Sequence, residues 1–172
     1  MSQGGQKLDD VAQIIYAPNR PGLKHKKRIF LAGYTKRVGG TAWRETLISA
    51  LSQCSVTIFD PYRSDWDSSW VEDMSYPPFR EQVNWELDMQ EIADLVVVCF
   101  HPDTPAPISL LELGLCAPKQ KALVVCPPGY WKRGNVQAVC QRFGIEMLDD
   151  EARLTQAAVR ILGLEVKAKS AA

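Results

Sequence analysis

Two glutamates stand where a carboxylate could do chemistry. Glu86 falls within the apolar arc of a helix predicted over residues 78–92, between Gln82 and Gln90, while the other acidic residues of that helix fall on its opposite face. Glu112 has leucines on both sides. A carboxyl group held against apolar surface has to be paired, or has a raised pKa, or both. A raised carboxyl pKa is what a general acid needs near neutral pH.

Each glutamate also has a purely structural interpretation. Glu86 could be a buried side chain satisfied by backbone amides or by Arg44. Ser109 and Glu112 have the spacing of a capping box, in which Ser109 caps a helix and Glu112 reaches back to it. On the functional interpretation, Glu112 lies in the first turn of that helix, where the helix dipole keeps it ionised and nucleophilic. The spacing alone leaves both interpretations open.

Composition predicts a single globular domain. The chain has 172 residues, of which 46% are apolar and 23% charged. Its 20 basic and 20 acidic residues give no net charge, which argues against a nucleic-acid-binding protein. The longest apolar run, residues 95–100, is too short to span a membrane, and no signal peptide is visible. We therefore expect a cytoplasmic protein with no membrane partner.

The cysteine pattern points to reduced thiols. Five scattered cysteines include no CxxC pair, and only two histidines accompany them, so we expect no metal site. Cys99 and Cys126 lie in or at the end of apolar runs and are expected to be buried.

Strands and helices alternate along the chain. This alternation predicts an α/β fold with a mostly parallel, five-stranded sheet and helices on both faces. The strands are predicted at residues 28–33, 56–59, 94–100, 122–126 and 145–147, and the helices at 41–53, 78–92, 109–117, 135–143 and 150–162. We expect one domain over residues 28–165, an N-terminal arm or edge segment over 1–27 and a frayed tail over 166–172.

Ligands of such sheets bind beyond the carboxyl ends of the strands. Gly33 ends the first strand, where backbone or ligand would approach closely, but residues 33–40 contain neither a dinucleotide nor a P-loop fingerprint. The next loop carries flat side chains beside carboxylates, including Asp65 and Trp66, which suits a planar ligand such as a nucleobase or a sugar. Alternatively, that loop buries its own aromatic residues or forms a subunit interface.

Two further loops reach the same edge. His101 and Asp103 follow the third strand and offer an alternative site governed by an imidazole. Trp131 and Asn135 follow the fourth strand. Asn135 could cap the next helix or donate its side-chain amide to a ligand.

Taken together, these motifs resemble the nucleoside 2-deoxyribosyltransferase family, particularly its nucleoside 2-deoxyribosyltransferase-like branch. The resemblance covers about residues 28–147 and is carried by the order and spacing of segments 29–33, 42–44, 60–67, 82–87, 93–94, 107–115 and 134–136. It implies a flavodoxin-like or Rossmann-like three-layer sandwich.

The resemblance also implies cleavage of an N-glycosidic bond without a cofactor or metal. Glu112, in a Glu-Leu-Gly context, matches the family nucleophile, which forms a covalent glycosyl-enzyme. Glu86 matches a second acid that interacts with the base, and Asn135 matches an asparagine that orders the site, sometimes across a subunit boundary. Tyr34 stands where the family has an aromatic or small polar residue.

The substrate-binding set that we expect combines this resemblance with the loops above. It comprises Gly33, Tyr34, Asp65, Trp66, Asp103, Ser109, Trp131 and Asn135. Several family members bind sugar hydroxyls through an aspartate six residues before the nucleophile, where this chain has Ala106. The expected partners are a nucleoside or nucleotide and further copies of the chain in a homo-oligomer. The alternative is a non-catalytic nucleotide-binding or sensing module on the same fold.

Overall fold

Six parallel strands form one sheet within residues 11–35 and 42–165, the parts of the chain that the computed structural model describes. Every neighbouring pair of strands is parallel, and the spatial order is β1-β3-β2-β4-β5-β6. The strands are β1 (Gln13–Tyr16), β2 (Arg28–Gly33), β3 (Thr57–Asp60), β4 (Leu95–Cys99), β5 (Ala122–Val125) and β6 (Glu146–Leu148). The helices are α1 (Trp43–Leu51), α2 (Pro77–Ile92), α3 (Pro107–Cys116), α4 (Arg133–Phe143) and α5 (Leu154–Leu162), with a 3-10 turn at Ala117–Lys119.

Helices cover both faces of the sheet. Successive strand residues point to opposite faces, so that Phe30 of β2 packs with α2, α3 and α4, while Leu31 packs with α1 and α5. β3, β4 and β5 are therefore buried along their whole length and β2 along residues 29–32, as expected of a parallel sheet covered on both faces. This arrangement is the α/β class predicted from the sequence and is consistent with a Rossmann-like fold.

The predicted strand number is wrong by one. Residues Gln13–Tyr16, expected to be an arm or edge segment, form the edge strand β1 and pair with β3, with Ile15 opposite Phe59. Only Ile15 of this strand is buried, so its pattern carries little signal, and its partner lies far along the chain. The rest of the proposed arm and the tail include residues 1–10 and 166–172, which lie outside the described residues, as do residues 36–41 of the glycine-containing loop.

Two predicted helix starts are corrected by the structure. α3 begins at Pro107, after Ala106 in a left-handed conformation (φ 41°) and with no side-chain cap. Ser109 is therefore not a cap, the capping box is wrong, and Glu112 lies in the second turn rather than the first. α4 begins at Arg133, so Asn135 lies inside that helix and does not cap it. Proline at the first helical position explains the early start of α3, because its missing N–H needs no partner there.

The sheet changes direction at β2. The chain passes from β2 to β3 on one side and then crosses to β4 on the other. Loops that leave the carboxyl ends of β2 and β4 diverge at such a point, which opens a crevice above the sheet. The elements that follow these strands therefore decide which side chains meet there.

Gly33 is required by the close approach of β2 and β4. Its φ of +123° suits glycine, and an added Cβ would lie 2.4 Å from the Cys99 carbonyl oxygen. The close approach expected from the sequence is therefore to backbone.

We predict that Gly33→Ala lowers the free energy of unfolding by at least about 2 kcal/mol, because strained backbone adds to the clash. Urea unfolding measures this change. Gly134→Ala is the matched control, since an added Cβ there meets nothing within 4 Å, and its effect should stay within about 1 kcal/mol. Equal effects of the two substitutions would contradict the assignment.

Candidate functional site

One row of α2 side chains builds the first wall of the candidate site. Gln82, Glu86 and Gln90 are spaced four residues apart, so they share one face of the helix. Gln82 is buried and donates through Nε2 to Glu86 Oε1 (2.8 Å) and to the Pro61 carbonyl (2.9 Å). The row is therefore tied at one end to the loop that follows β3.

α3 brings Glu112 to the same row. Glu112 is 8% exposed and accepts a hydrogen bond from Gln90 Nε2 at 3.0 Å. The charge of Glu86 acts on Glu112, which shows that the two carboxyl groups lie within electrostatic reach of each other. The sequence-distant glutamates come within electrostatic reach of each other because α2 and α3, which precede and follow β4 in the chain, pack on the same face of the sheet.

Arg44 supplies a cation to this cluster. Its side chain is 13% exposed and donates to the carbonyl oxygens of Leu31 (3.3 Å) and Gly33 (3.2 Å) at the end of β2. The guanidinium also lies 3.9 Å from Asp60 Oδ1, and its charge lowers the pKa of both Glu86 and Glu112. The site therefore lies at the carboxyl ends of β2 and β3, where the topology opens a crevice.

Burial dominates the protonation of the two glutamates. Desolvation and then the charge of Glu86 raise the pKa of Glu112 from 4.5 to about 8, although Arg44 and Gln90 oppose this rise. Desolvation also raises the pKa of Glu86, against the hydrogen bond from Gln82 and the charge of Arg44. The expectation that a helix dipole keeps Glu112 ionised is wrong, because Glu112 lies beyond the first turn and is desolvated. Near neutral pH the pair holds at least one proton.

The cluster has unused hydrogen-bonding atoms. Gln82 Oε1, Gln90 Oε1 and Arg44 Nε are buried, and none has a partner among the described residues. Most buried polar atoms in folded proteins are paired, and leaving one unpaired costs about 1–3 kcal/mol. Two acceptors and one donor beside a pair of carboxyl groups are the features expected of a site for a polar ligand.

Tyr34 lies beside this cluster but is engaged elsewhere. Its hydroxyl donates to Glu151 at 2.6 Å, and its ring lies 5.3 Å from that of His101 and 6.3 Å from that of Trp43. Tyr34 therefore joins the loops after β2, β4 and β6. Because its hydroxyl is bonded to Glu151, Tyr34 is better placed to form part of the crevice wall than to bind a ligand through that hydroxyl.

Asp65 and Trp66 contact their own loop. Arg63 donates to both carboxylate oxygens of Asp65, at 2.7 and 3.2 Å, and the Trp66 ring packs on Trp70 at 4.9 Å. Arg63 also lies over the Trp70 ring and pairs with Glu81 of α2. In this structure the loop buries part of its own aromatic surface, which is the structural alternative for these residues.

Ser109 and Asp103 differ in their placement. Ser109 is buried three residues before Glu112, hence on the same face of α3. Asp103 is exposed, and its backbone N–H donates to His101 Nδ1 at 3.2 Å. The structure thus brings Ser109 toward the glutamate cluster and leaves Asp103 in a solvent-facing turn.

Asn135 lines a neighbouring groove, which Trp131 does not. Trp131 is exposed and donates through Nε1 to the Pro105 carbonyl at 3.0 Å. Asn135 lines an open groove of about 360 Å³ between α3 and α4, together with Leu110, Leu113, Gly114, Lys132, Val136 and Val139. Neither glutamate lines this groove.

Sequence reasoning gave three members of the cluster too small a role. The sequence predicts Arg44 only as a structural partner of Glu86, and Gln82 and Gln90 only as its neighbours. Their signal was the four-residue spacing of polar side chains inside an apolar arc, which places them on one helix face. No sequence signal connects Arg44 to the end of β2.

The described residues include no group of three or more His, Cys, Asp or Glu side chains that could hold a metal ion. The five cysteines are buried and free, as expected for Cys99 and Cys126. Among the described helices, none combines the length and the apolar character that crossing a membrane requires.

The family model described as nucleoside 2-deoxyribosyltransferase like matches residues 26–130. The chain belongs to the nucleoside 2-deoxyribosyltransferase-like family. The matched segment contains both glutamates, Arg44 and the two glutamines, whereas Asn135 lies beyond it. A search of curated proteins found no match.

The raised pKa of Glu112 predicts a stability that depends on pH. Between the unfolded pKa of 4.5 and the folded pKa of about 8, the folded state binds more protons, so its stability falls as pH rises through this window. Glu112→Gln removes that fall. By pH 9 the variant should exceed the wild type by roughly 2–4 kcal/mol in urea unfolding, with little difference near pH 4.

Glu91→Gln is the control for this measurement, because Glu91 is exposed on α2 and paired with Lys119. Its stability relative to the wild type should show no gain with pH. If the curves of Glu112→Gln and the wild type ran parallel from pH 4 to pH 9, Glu112 would not be a desolvated acid.

Proposed function

We propose that this protein cleaves the N-glycosidic bond of a nucleoside or nucleotide through a covalent glycosyl-enzyme, and passes the sugar to another base or to water. The observation that carries the proposal is that Glu86 and the buried Glu112, each bonded to a glutamine of α2, lie within electrostatic reach of each other and of Arg44 at the carboxyl edge of the sheet. Family membership supports a nucleoside as the class of substrate.

In the first step, Glu112 is the nucleophile and Glu86 is the acid, so the reactive form of the pair is the one in which the shared proton has moved from Glu112 to Glu86. A carboxylate oxygen of Glu112 forms a bond to the anomeric carbon as the bond from that carbon to the base nitrogen breaks. The electron pair of the broken bond goes to the base, which receives the proton of Glu86. The products are a glycosyl ester on Glu112, a carboxylate at Glu86 and a neutral free base.

The second step reverses these roles. Water or a second base attacks the anomeric carbon, and the ester oxygen leaves as the Glu112 carboxylate. Glu86 accepts the proton that the attacking group loses, which restores the starting state. Because two displacements occur at one carbon, the configuration of the sugar is retained.

Arg44 suits this exchange because the charge of the glutamate pair is the same before and after the first step. One carboxylate is present in each state, first on Glu112 and then on Glu86, and the Arg44 charge acts on both. The cation therefore stabilises the pair throughout without changing its own protonation. Its fixed position, held by the carbonyl oxygens of Leu31 and Gly33, means that little reorganisation is needed.

The remaining predicted residues complete the proposal. We place Ser109 and Gly33 against the sugar and let Tyr34 hold the crevice wall. Asp65, Trp66 and Asp103 would approach the ligand only after their loops close over it. We also propose a homo-oligomer in the cytoplasm, where the free cysteines stay reduced, with Trp131 and Asn135 at a subunit boundary beside the exposed Ile108, Leu111 and Leu115 of α3.

One observation favours a second function, a nucleotide-binding or sensing module without turnover. The pKa of Glu112 near 8 leaves the candidate nucleophile mostly protonated at neutral pH. A neutral carboxyl group is a good hydrogen-bond donor and a poor nucleophile. Binding of nucleosides with no release of base would favour this module over the enzyme.

Turnover and its variants test the enzyme directly. Free base released from a panel of nucleosides and nucleotides, measured by chromatography, should fall on the order of 10³-fold or more in Glu112→Gln. Glu86→Gln should lose about 10²-fold, because the leaving base has no proton donor. Mass spectrometry of rapidly quenched wild type should find a glycosyl group on the peptide that contains Glu112.

Glu91→Gln should match the wild type, because Glu91 is exposed and paired with Lys119 on the outer side of α2. A Glu112→Gln variant that keeps most of the activity would refute Glu112 as the nucleophile.

The pH dependence of kcat/KM tests the roles of the two acids. The proposed reaction needs one proton on the pair, so kcat/KM should rise from acid pH and fall again above about 8. Glu86→Gln should remove the alkaline fall, since no acid remains to lose its proton, and keep the acid rise. An alkaline fall that persists in this variant would assign the acid to another residue.

A further inference from the structure

Gln82 presents a hydrogen-bond acceptor whose orientation is fixed. Both protons of its amide nitrogen have acceptors, the Pro61 carbonyl at 2.9 Å and Glu86 Oε1 at 2.8 Å. A backbone carbonyl can only accept, so turning the amide over would set two oxygens against each other. The group left unpaired is therefore the oxygen, Gln82 Oε1, and it is buried.

This acceptor lies one helical turn from the acid that serves the leaving base. Side chains four residues apart on a helix are neighbours, so a base held by Glu86 has Gln82 beside it. Glu86 as an acid offers a proton to a ring nitrogen, while Gln82 Oε1 needs an N–H donor. A ring nitrogen next to an exocyclic amine presents an acceptor and a donor side by side, as on the adenine edge that carboxamides bind.

We infer that Gln82 and Glu86 together select a nucleobase that carries an exocyclic amine beside a ring nitrogen, that is, an aminopurine or an aminopyrimidine. This inference rests on the proposed function, because it takes Glu86 as the acid of base release. Gln82 is then the residue that determines which base is released.

The keto counterparts of these bases fit the pair poorly. A carbonyl oxygen in place of the amine would face Gln82 Oε1, and two acceptors without a proton between them repel each other. The amide cannot turn over to relieve this contact without losing its bond to Pro61. Sites built around a fixed polar partner discriminate strongly, because the wrong ligand leaves a buried atom unpaired.

Burial explains why the acceptor stays available for the base. Gln82 Oε1 has no contact with solvent in this conformation and no partner among the described residues, which is unfavourable. Neighbouring side chains have to move when the base enters, and the amine then gives the oxygen the bond that it lacks. Only a base with an exocyclic amine forms this hydrogen bond, so only such a base gains its free energy on binding.

Gln90 is the matched comparison on the same helix. It is also buried and has an unpaired Oε1, but its amide faces Glu112, at 3.0 Å, rather than Glu86. Gln90 therefore acts on the nucleophile and should affect all substrates alike. The two glutamines share residue type, helix face and burial, and differ in which acid they bind.

The experiment compares kcat/KM for base release within pairs of substrates, in which one member carries an exocyclic amine on the base and the other carries a carbonyl at the same position. The probes are adenosine with inosine and cytidine with uridine, each also as the 2′-deoxy compound and as the 5′-monophosphate. Wild type should prefer the amino member by at least about 10-fold. Gln82→Met should bring that ratio close to 1, whereas Gln90→Met should lower both members and leave the ratio unchanged.

Each outcome decides the inference. A wild-type ratio near 1, or a preference for keto bases, would overturn it while leaving the proposed glycosidase standing, and this readout needs no variant. A ratio that survives Gln82→Met would assign the selection to another residue. Absence of base release from every probe would overturn the proposed function and the inference with it.

Discussion

Two carboxyl groups and a guanidinium share one desolvated cluster, and this electrostatic constraint governs the chemistry available to the protein. Glu86 and Glu112 cannot both ionise freely, because burial and mutual repulsion raise the pKa of Glu112 to about 8. Arg44 opposes the rise without cancelling it. The result is a pair that keeps a proton at neutral pH, and the position of that proton decides which of the two carboxyl groups is ionised.

The fold produces this cluster from distant parts of the chain. β2 is the strand at which the sheet changes direction, and its terminal carbonyl oxygens hold Arg44. α2 and α3 stand on either side of β4 in the chain and carry one glutamate each on their inner faces. Gly33 allows the end of β2 to lie close to the Cys99 backbone of β4. A local change at Gly33 would therefore disturb the framework of the site as well as the stability of the sheet.

The sequence predicts the features that leave a regular pattern of apolar residues. Buried strands show as apolar runs, and Glu86 is conspicuous because a charge interrupts an apolar helix arc. For β1 the sequence leaves an edge strand and an arm both open, because one buried side chain in four residues leaves almost no pattern. The start of α3 was placed too late, since Ser109 offered a familiar capping spacing and Pro107 offered a weaker signal.

Tertiary contacts account for what sequence could not supply at the site. The protonation of Glu112 depends on its depth and on Glu86, neither of which spacing reveals, so a dipole argument gave the wrong sign. Arg44 reaches the cluster across the end of β2, where it donates to the carbonyl oxygens of Leu31 and Gly33. No sequence motif predicts this contact. The fixed orientation of Gln82 depends on the carbonyl of Pro61, in a loop whose sequence predicts a role only for its aromatic and acidic side chains.

Carbon-13 NMR of protein labelled at the glutamate carboxyl carbons measures the central coupling most directly. The account predicts that the Glu112 resonance titrates near pH 8 in the wild type, and at a lower pH once Glu86→Gln removes the neighbouring charge. A Glu112 resonance that titrates near the ordinary glutamate value of about 4.3, unchanged by that substitution, would contradict it.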